Sequence, residues 1–334
     1  MNRDINTIAI VRLSALGDIV NSAVVLQFIK QNYPNAKITW IVEEVFSSLL
    51  VTHPLVERVY TVNLKKLKKE KSFSLLKQTL SELRSLGEFD IVIDIQGLLK
   101  SAVVARVIGK NTHGFSKDSA REGVASLLYR STSTISYEEN VVKRNCFVVA
   151  DGLGFEISDA MISKKETIFP FTKRDDIQND KKTIALVVGA SWESKKYPKE
   201  LALELCDALE ENTLLIWGDD QEKEVAQWIA QNSQFATVAP KLSLNELISF
   251  ISSVDLLIGN DTGPTHMAWA QNIPSITLLG PTTTRMIYET PINIGIKSPS
   301  KVDINKIDKN DYSIKDIPVS DVVTQAKELL KNGL

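Results

Sequence analysis

"TIAIVRLSALGDIV", residues 7–20, decides the fold. Thr7 to Arg12 form a short apolar, β-branched run of the kind that is buried on both faces of a parallel sheet. A tight turn at Leu16-Gly17 follows, and the next helix is expected to begin with the carboxylate of Asp18. Glycine at such a turn lets a ligand come close to the backbone. Strand, short turn and helix open a βαβ unit, and ligands of open α/β sheets sit where the strands end. Asp18 therefore stands where a nucleotide-binding protein would carry glycine, and its partner has to be found elsewhere in the chain.

Outward from this stretch, apolar runs alternate with amphipathic helices. "KITWIV", "RVYTV", "DIVIDI" and "THGF" continue the first half; "TIALVVGAS", "TLLIWGDD", "FATVAP", "VDLLIGNDTG" and "SITLLGPTTT" build a second. Between them "FTKRDDIQNDKKT" is polar, has no apolar period, and reads as a linker. The expected class is α/β, with two Rossmann-like domains facing each other across a cleft. Residues 1–170 form the first, 171–183 the linker and 184–318 the second, and a final helix in 319–334 returns to brace the first domain.

Composition narrows the function. A chain of 334 residues is too long for one ordinary core. Its 43% hydrophobic and 24% charged residues suit a soluble globular enzyme, and a net charge of −2 gives no global attraction to nucleic acid. Cys146 in "RNCFVVA" and Cys206 in "LELCDALE" read as helix-interior core residues without metal-ligand spacing, which fits a reducing compartment. The N-terminal "IAIV" is too short for a signal peptide or a membrane span, so a cytosolic location is expected.

The most informative stretch is "IGNDTGPTHMAWA", residues 258–270. A buried strand ends at Gly259, and Pro264 is placed as the first residue of a helix whose leading N–H groups and dipole make an anion site. Thr262, Gly263, Thr265 and His266 add hydroxyls, close backbone approach and a further donor; plain capping by Asp261 or Thr262 reads the same residues equally well. "GASWESKKYP" (189–198) also follows a buried strand and offers Ser191 and Lys195 to phosphate oxygens. Two such loops in one half make a diphosphate cradle without a Walker loop or a GxGxxG. The neighbouring ends "IWGDDQEKE" and "APKLSLNEL" supply Glu222 for ribose hydroxyls and Leu242 for a base, or are ordinary loop residues.

Asp18 would repel a phosphate, so the group facing it is a neutral sugar hydroxyl, and its expected role is general base in a single-displacement glycosyl transfer. Read alone, it is also a common first-turn helix carboxylate. Basic clusters "NLKKLKKEK" (63–71), "QGLLKSA" (96–102), "DSAREG" (118–123) and "VVKRN" (141–145) fall in the first half and suit a polyanionic acceptor. Leu67, Phe73, Leu75 and Leu76 among the lysines allow shallow contact with a membrane surface.

"RLSALGDIV", "DIQGLLKSA" and "GNDTGPTHMAWA", in this order across nearly the whole chain, are similar to glycosyltransferase family 9, the bacterial lipopolysaccharide heptosyltransferases. "VEEVFSSLLVTHPLVERVY", "AREGVASLLYR" and "APKLSLNEL" also fit, and point to the members that add the first heptose of the inner core. The resemblance implies a GT-B fold and an inverting reaction with ADP-L-glycero-β-D-manno-heptose as donor and Kdo-lipid A as acceptor. It implies Asp18 as the catalytic residue; Ser191, Lys195, Glu222, Leu242, Asp261, Thr262, Gly263 and His266 on the donor; and Ser14, Gln96, Lys100, Arg121 and Arg144 on the acceptor side. Ser191 stands where the family has threonine, Leu242 where it has methionine, and "SWESKK" departs from the commoner acidic loop. No DxD-type motif adjoins the cradle, so no obligatory metal or other cofactor is expected, although a non-essential divalent cation is compatible. Partners are then the donor, the lipid-linked acceptor and the cytoplasmic face of the inner membrane, with no nucleic acid. The alternatives are a family member that adds the second heptose, another ADP-sugar transferase, or a two-domain sugar-binding protein. A nicotinamide-dependent dehydrogenase lacks its glycine fingerprint here.

Overall fold

Each pairing in both sheets of the computed structural model is parallel, and central strands such as Thr183–Val187 and Ser275–Leu279 are buried throughout. The structure describes residues 5–70, 72–177, 180–304 and 306–331. Two units divide the chain between Ile168 and Phe169.

The first unit holds β1 (Thr7–Val11), β2 (Lys37–Glu43), β3 (Arg58–Val62), β4 (Ile91–Asp94), β5 (Thr112–Phe115) and β6 (Ser131–Ser133), in the spatial order β3-β2-β1-β4-β5-β6. Ile8 of β1 lies between Ile38 and Ile91 of its two neighbours, so both faces of β1 meet helices and its apolar run is uninterrupted. β6 was not legible. It is "STS", without an apolar run, and is held by His113, whose ring nitrogens bond Ser131 Oγ at 2.8 Å and Ser133 Oγ at 2.7 Å.

The second unit holds β7 (Thr183–Val187), β8 (Asn212–Ile216), β9 (Ala236–Val238), β10 (Leu256–Asn260), β11 (Ser275–Leu279) and β12 (Asn293–Lys297), ordered β12-β11-β10-β7-β8-β9. Taken from β9, this is the same walk as in the first unit. β12 also escaped the sequence pattern; it is a half-buried edge strand interrupted by Gly295, where a Cβ would lie 2.7 Å from Ile287.

Two boundaries differ from expectation. Thr172 and Arg174 of the expected linker are bonded to the second unit: Thr172 N–H donates to Ser249 Oγ at 3.2 Å and Arg174 N–H to Ser253 Oγ at 2.8 Å. The last helix, Val319–Lys331, does not need the first unit to cover its apolar face. Val322, Ala326 and Leu329 are buried in the second unit's own core with Leu205, Cys206 and Leu209. Both cysteines are buried within helices, as expected, and burial pushes both thiols up, that of Cys206 to about 12. No helix of the described residues is long and apolar enough to cross a membrane. Lys71 and the side chains of Leu67, Phe73 and Leu76 lie outside the described residues; Leu75 is half-buried.

Candidate active site

In each unit the first strand lies beside the fourth, and there the strand order reverses. Loops leaving two such strands part in opposite directions and open a crevice at their carboxyl ends. Asp18, Gln96 and Lys100 of the sequence-predicted residues lie at the first of these places and Lys195, Asp261 and His266 at the second.

In the first unit, Arg12 leaves β1 and sets its Nη2 2.7 Å from Asp18 Oδ1. Its Nη1 donates to the Ile95 carbonyl beyond β4 at 2.6 Å, while its buried Nε has no hydrogen-bond partner among the described residues. Leu16–Ala23 is helical, so Leu16-Gly17 is already inside the helix and Asp18 is its third residue, not its first. Asp18 Oδ2 accepts from the Ala15 N–H at 3.2 Å. The capping role is thus real for one oxygen, and the other is turned by Arg12. The side chain remains 30% exposed, which leaves the carboxylate open to an incoming proton.

Gln96 and Lys100 come to the same turn from β4. Gln96 Oε1 accepts from Leu13 N–H at 2.8 Å, and Gln96 Nε2 and Lys100 Nζ reach Ser14 Oγ at 3.4 and 3.3 Å. Beneath them Asp94 is fully buried, accepting from Gln96 N–H at 2.8 Å and Tyr129 O–H at 2.7 Å; burial raises its carboxyl above the ordinary range despite these bonds. Arg121 is exposed. Arg144 is not displayed to a ligand. It is buried, donates to the Ser119, Ile135 and Ser136 carbonyls, and lies over the Phe115 and Tyr137 rings, so it shapes the 116–137 loop from inside.

In the second unit, the loop after β7 and the loop after β10 meet through Lys195 and Asp261. Lys195 Nζ is 2.8 Å from Asp261 Oδ2, and His266 Nε2 is 3.2 Å from Asp261 Oδ1; Asp261 is only 3% exposed. Burial works against the Asp261 carboxylate. The Lys195 charge and the His266 hydrogen bond outweigh it and hold the carboxyl well below the usual range. Asp261 is therefore committed to this cluster and caps no helix. The helix Gly263–Ala270 starts at Gly263, with Pro264 second, and the Thr262 N–H donates to Thr265 Oγ1 at 3.1 Å. Asn260 fastens the loops together: its Nδ2 donates to the Gly189 carbonyl at 3.0 Å and its Oδ1 accepts from Tyr197 N–H at 3.0 Å.

Glu222 follows β8. Its Oε2 accepts from Gly218 N–H at 2.6 Å, and its carboxylate lies over Gly189, where a Cβ would come within 2.1 Å of it. Leu242 is half-buried after β9, and Ser191 is exposed. Sequence reasoning passed over four residues at these strand ends: Arg12, Gly189, Ser194 and Thr282. Ser194 and Thr282 are buried hydroxyls with no hydrogen-bond partner among the described residues, following β7 and β11 at the same sheet edge. Their only sequence signal was a place beyond an apolar strand. Among the described residues no group of three or more His, Cys, Asp or Glu is placed to hold a metal ion.

Comparison with known proteins shows the family. Residues 76–306 match the model of glycosyltransferase family 9 (heptosyltransferase). The lipopolysaccharide heptosyltransferase 1 of Campylobacter coli is 38% identical over 96% of this chain and 98% of its own length; that of Escherichia coli is 30% identical over 84% and 89%. The structure of E. coli heptosyltransferase WaaC with ADP superposes with a TM-score of 0.80 at 26% identity, covering 97% of this chain and 99% of that one. Matching strand walks, a carboxylate at one strand-order reversal and a lysine–aspartate–histidine cluster at the other, together with these likenesses, place the chain in glycosyltransferase family 9, the heptosyltransferases.

Proposed function

We propose that this protein transfers L-glycero-D-manno-heptose from ADP-L-glycero-β-D-manno-heptose to a Kdo residue of Kdo-lipid A, with inversion, as the first heptose of the lipopolysaccharide inner core. The observation that carries the reading is the Lys195–Asp261–His266 cluster beside a helix N-terminus, in a chain so similar to lipopolysaccharide heptosyltransferase 1. Lys195 and the leading turn of Gly263–Ala270 take the diphosphate. Glu222 takes the ribose hydroxyls, and Leu242 an apolar face of the adenine.

Asp18 accepts the proton of the attacking Kdo hydroxyl. The new C–O bond forms at the anomeric carbon as the bond to the diphosphate breaks, and its electron pair leaves with ADP. The growing charge on that leaving group is met by Lys195, so the reaction as proposed has no obligatory metal. Ser14, Gln96, Lys100 and Arg121 receive the anionic acceptor, and the enzyme works at the cytoplasmic face of the inner membrane as a peripheral protein.

The test is ADP release with purified Kdo-lipid A, supplied first with ADP-heptose and then with UDP- and GDP-sugars. Release confined to ADP-heptose and dependent on acceptor is expected; equal release with the other nucleotides would defeat the reading.

Gly189→Ala probes the ribose end. The added methyl meets the movable end of Glu222 and not backbone, so the fold is expected to survive while the carboxylate is displaced. Loss of one such hydrogen bond to the donor corresponds to about tenfold weaker ADP binding, with kcat little changed. Calorimetry with ADP and 2′-deoxy-ADP checks it, since the variant should lose discrimination between them. Undiminished discrimination would free Glu222 of the ribose role.

A further inference from the structure

We propose that one outer face of the first unit is a docking surface for an anionic phospholipid bilayer. The face is built from the helix Leu99–Ile108 and the short 3₁₀ segment Gly123–Leu128. Ala102 and Ala125 meet in a small cluster with Tyr129 and Leu128, and two alanines allow the segments to pack closely. The Leu99 N–H also donates to Glu122 Oε2 at 2.7 Å, tying the ends together. Their outward sides thus form one surface.

That surface is apolar where solvent-facing residues should be polar. Leu99 and Val103 stand one helical turn apart, 43% and 42% exposed, with exposed Arg106 three residues further on the same side. A 3₁₀ helix repeats every three residues, so Val124 and Leu127 share a side; they are 52% and 80% exposed. Isolated exposed apolar residues need no explanation, whereas a group of four on two joined segments marks an interaction site.

Charge identifies the occupant. Residues 99–130 carry six Lys and Arg against two Asp and Glu, in a chain that has 39 against 41. One of the two acids, Glu122, is engaged with the Leu99 N–H. Exposed Arg106, Arg121 and Arg130 therefore flank the apolar residues with little local compensation. A second copy of the same face would bring these cations together, which is unfavourable. An anionic bilayer answers both features, with headgroups for the arginines and the acyl boundary for leucine and valine.

The inference rests on the proposed function only for its biological sense, because its test contains neither donor nor acceptor. Vesicles of phosphatidylglycerol and phosphatidylethanolamine should sediment the protein, phosphatidylcholine vesicles should not, and 0.5 M salt should release it. Val124→Ser with Leu127→Ser should weaken partition by about tenfold, and Arg106→Gln with Arg130→Gln by about 30-fold. Unchanged melting temperature and ADP affinity in these variants would show that fold and donor site are intact. The proposal is overturned if the wild-type protein ignores anionic vesicles, if it binds zwitterionic ones equally, or if the variants sediment as wild type. A dimer in ultracentrifugation that is abolished by the Val124/Leu127 changes, without vesicle binding, would assign the face to a second copy instead.

Discussion

Asp18→Asn is expected to lose turnover by about 10²–10⁴-fold, the usual range for a missing general base. The asparagine oxygen can still accept from the Ala15 N–H, so the first turn of the helix keeps its cap. It cannot take a proton from the acceptor. The Arg12 contact modifies the expectation for stability. An ion pair whose carboxylate is about a third exposed contributes about 1 kcal/mol, so a small drop in melting temperature should accompany the loss of rate. ADP affinity should persist. A merely structural carboxylate predicts the reverse, with near-normal turnover in the asparagine variant and the main damage in Asp18→Ala stability. Turnover, ADP affinity and melting temperature measured on both variants separate the two, and an asparagine enzyme turning over at the wild-type rate ends the catalytic assignment.

Lys195→Ala should be the most damaging change in the second unit, in two ways. Removing one partner of a buried ion pair typically costs about 3–5 kcal/mol, because the other charge is left without compensation. Losing a charged group that meets the leaving phosphate should lower kcat by about 10²–10³-fold. The pH dependence provides the sharper signature. In the native protein the Asp261 carboxyl is depressed, so its contribution to stability is complete above the ordinary carboxylate pKa and disappears as pH falls towards the folded value. Without Lys195 the burial that opposes ionisation loses its main counterweight, and the carboxyl rises. Lys195→Ala should therefore gain stability on acidification from pH 7 to 5, whereas the wild type should not. Urea unfolding across that range measures it, with Lys195→Ala/Asp261→Asn as the partner variant expected to recover much of the loss. Parallel pH profiles would mean that Asp261 does not depend on Lys195.

How much of this was legible in the sequence follows from where each signal resides. β1, β7, β10 and β11 announce themselves because both faces are largely buried and their residues are mostly apolar or small, Asn260 at the end of β10 being a polar exception. β6 and β12 sit at sheet edges, where side-chain hydrogen bonds and a glycine replace apolar burial, and periodicity has nothing to detect. The Asp261–His266 pair of the loop after β10 was readable as a polar cluster because its chemistry is contiguous. Its meeting with Lys195, 66 residues away, is a product of strand order: β10 returns to lie beside β7.

Arg12 was passed over as a strand terminus, and Gly189 gave no hint of the carboxylate that lies on it. Arg144 misled in the opposite sense. Basic residues nearby suggested an exposed charge, but three carbonyls and two rings enclose it. Burial of a long cationic side chain depends on tertiary contacts, and no local pattern encodes it.

The Lys195–Asp261 pair also bears on product inhibition. If Lys195 meets the diphosphate as proposed, its ammonium already has an anion 2.8 Å away, and a donor diphosphate meets a cradle close to electrical neutrality. ADP keeps the negative charge left by the broken bond, so it would draw the ammonium more strongly than the sugar nucleotide does. Competition by ADP against the next donor would then follow from the same attraction that stabilises the departing phosphate, and Asp261 would temper it by holding the ammonium back.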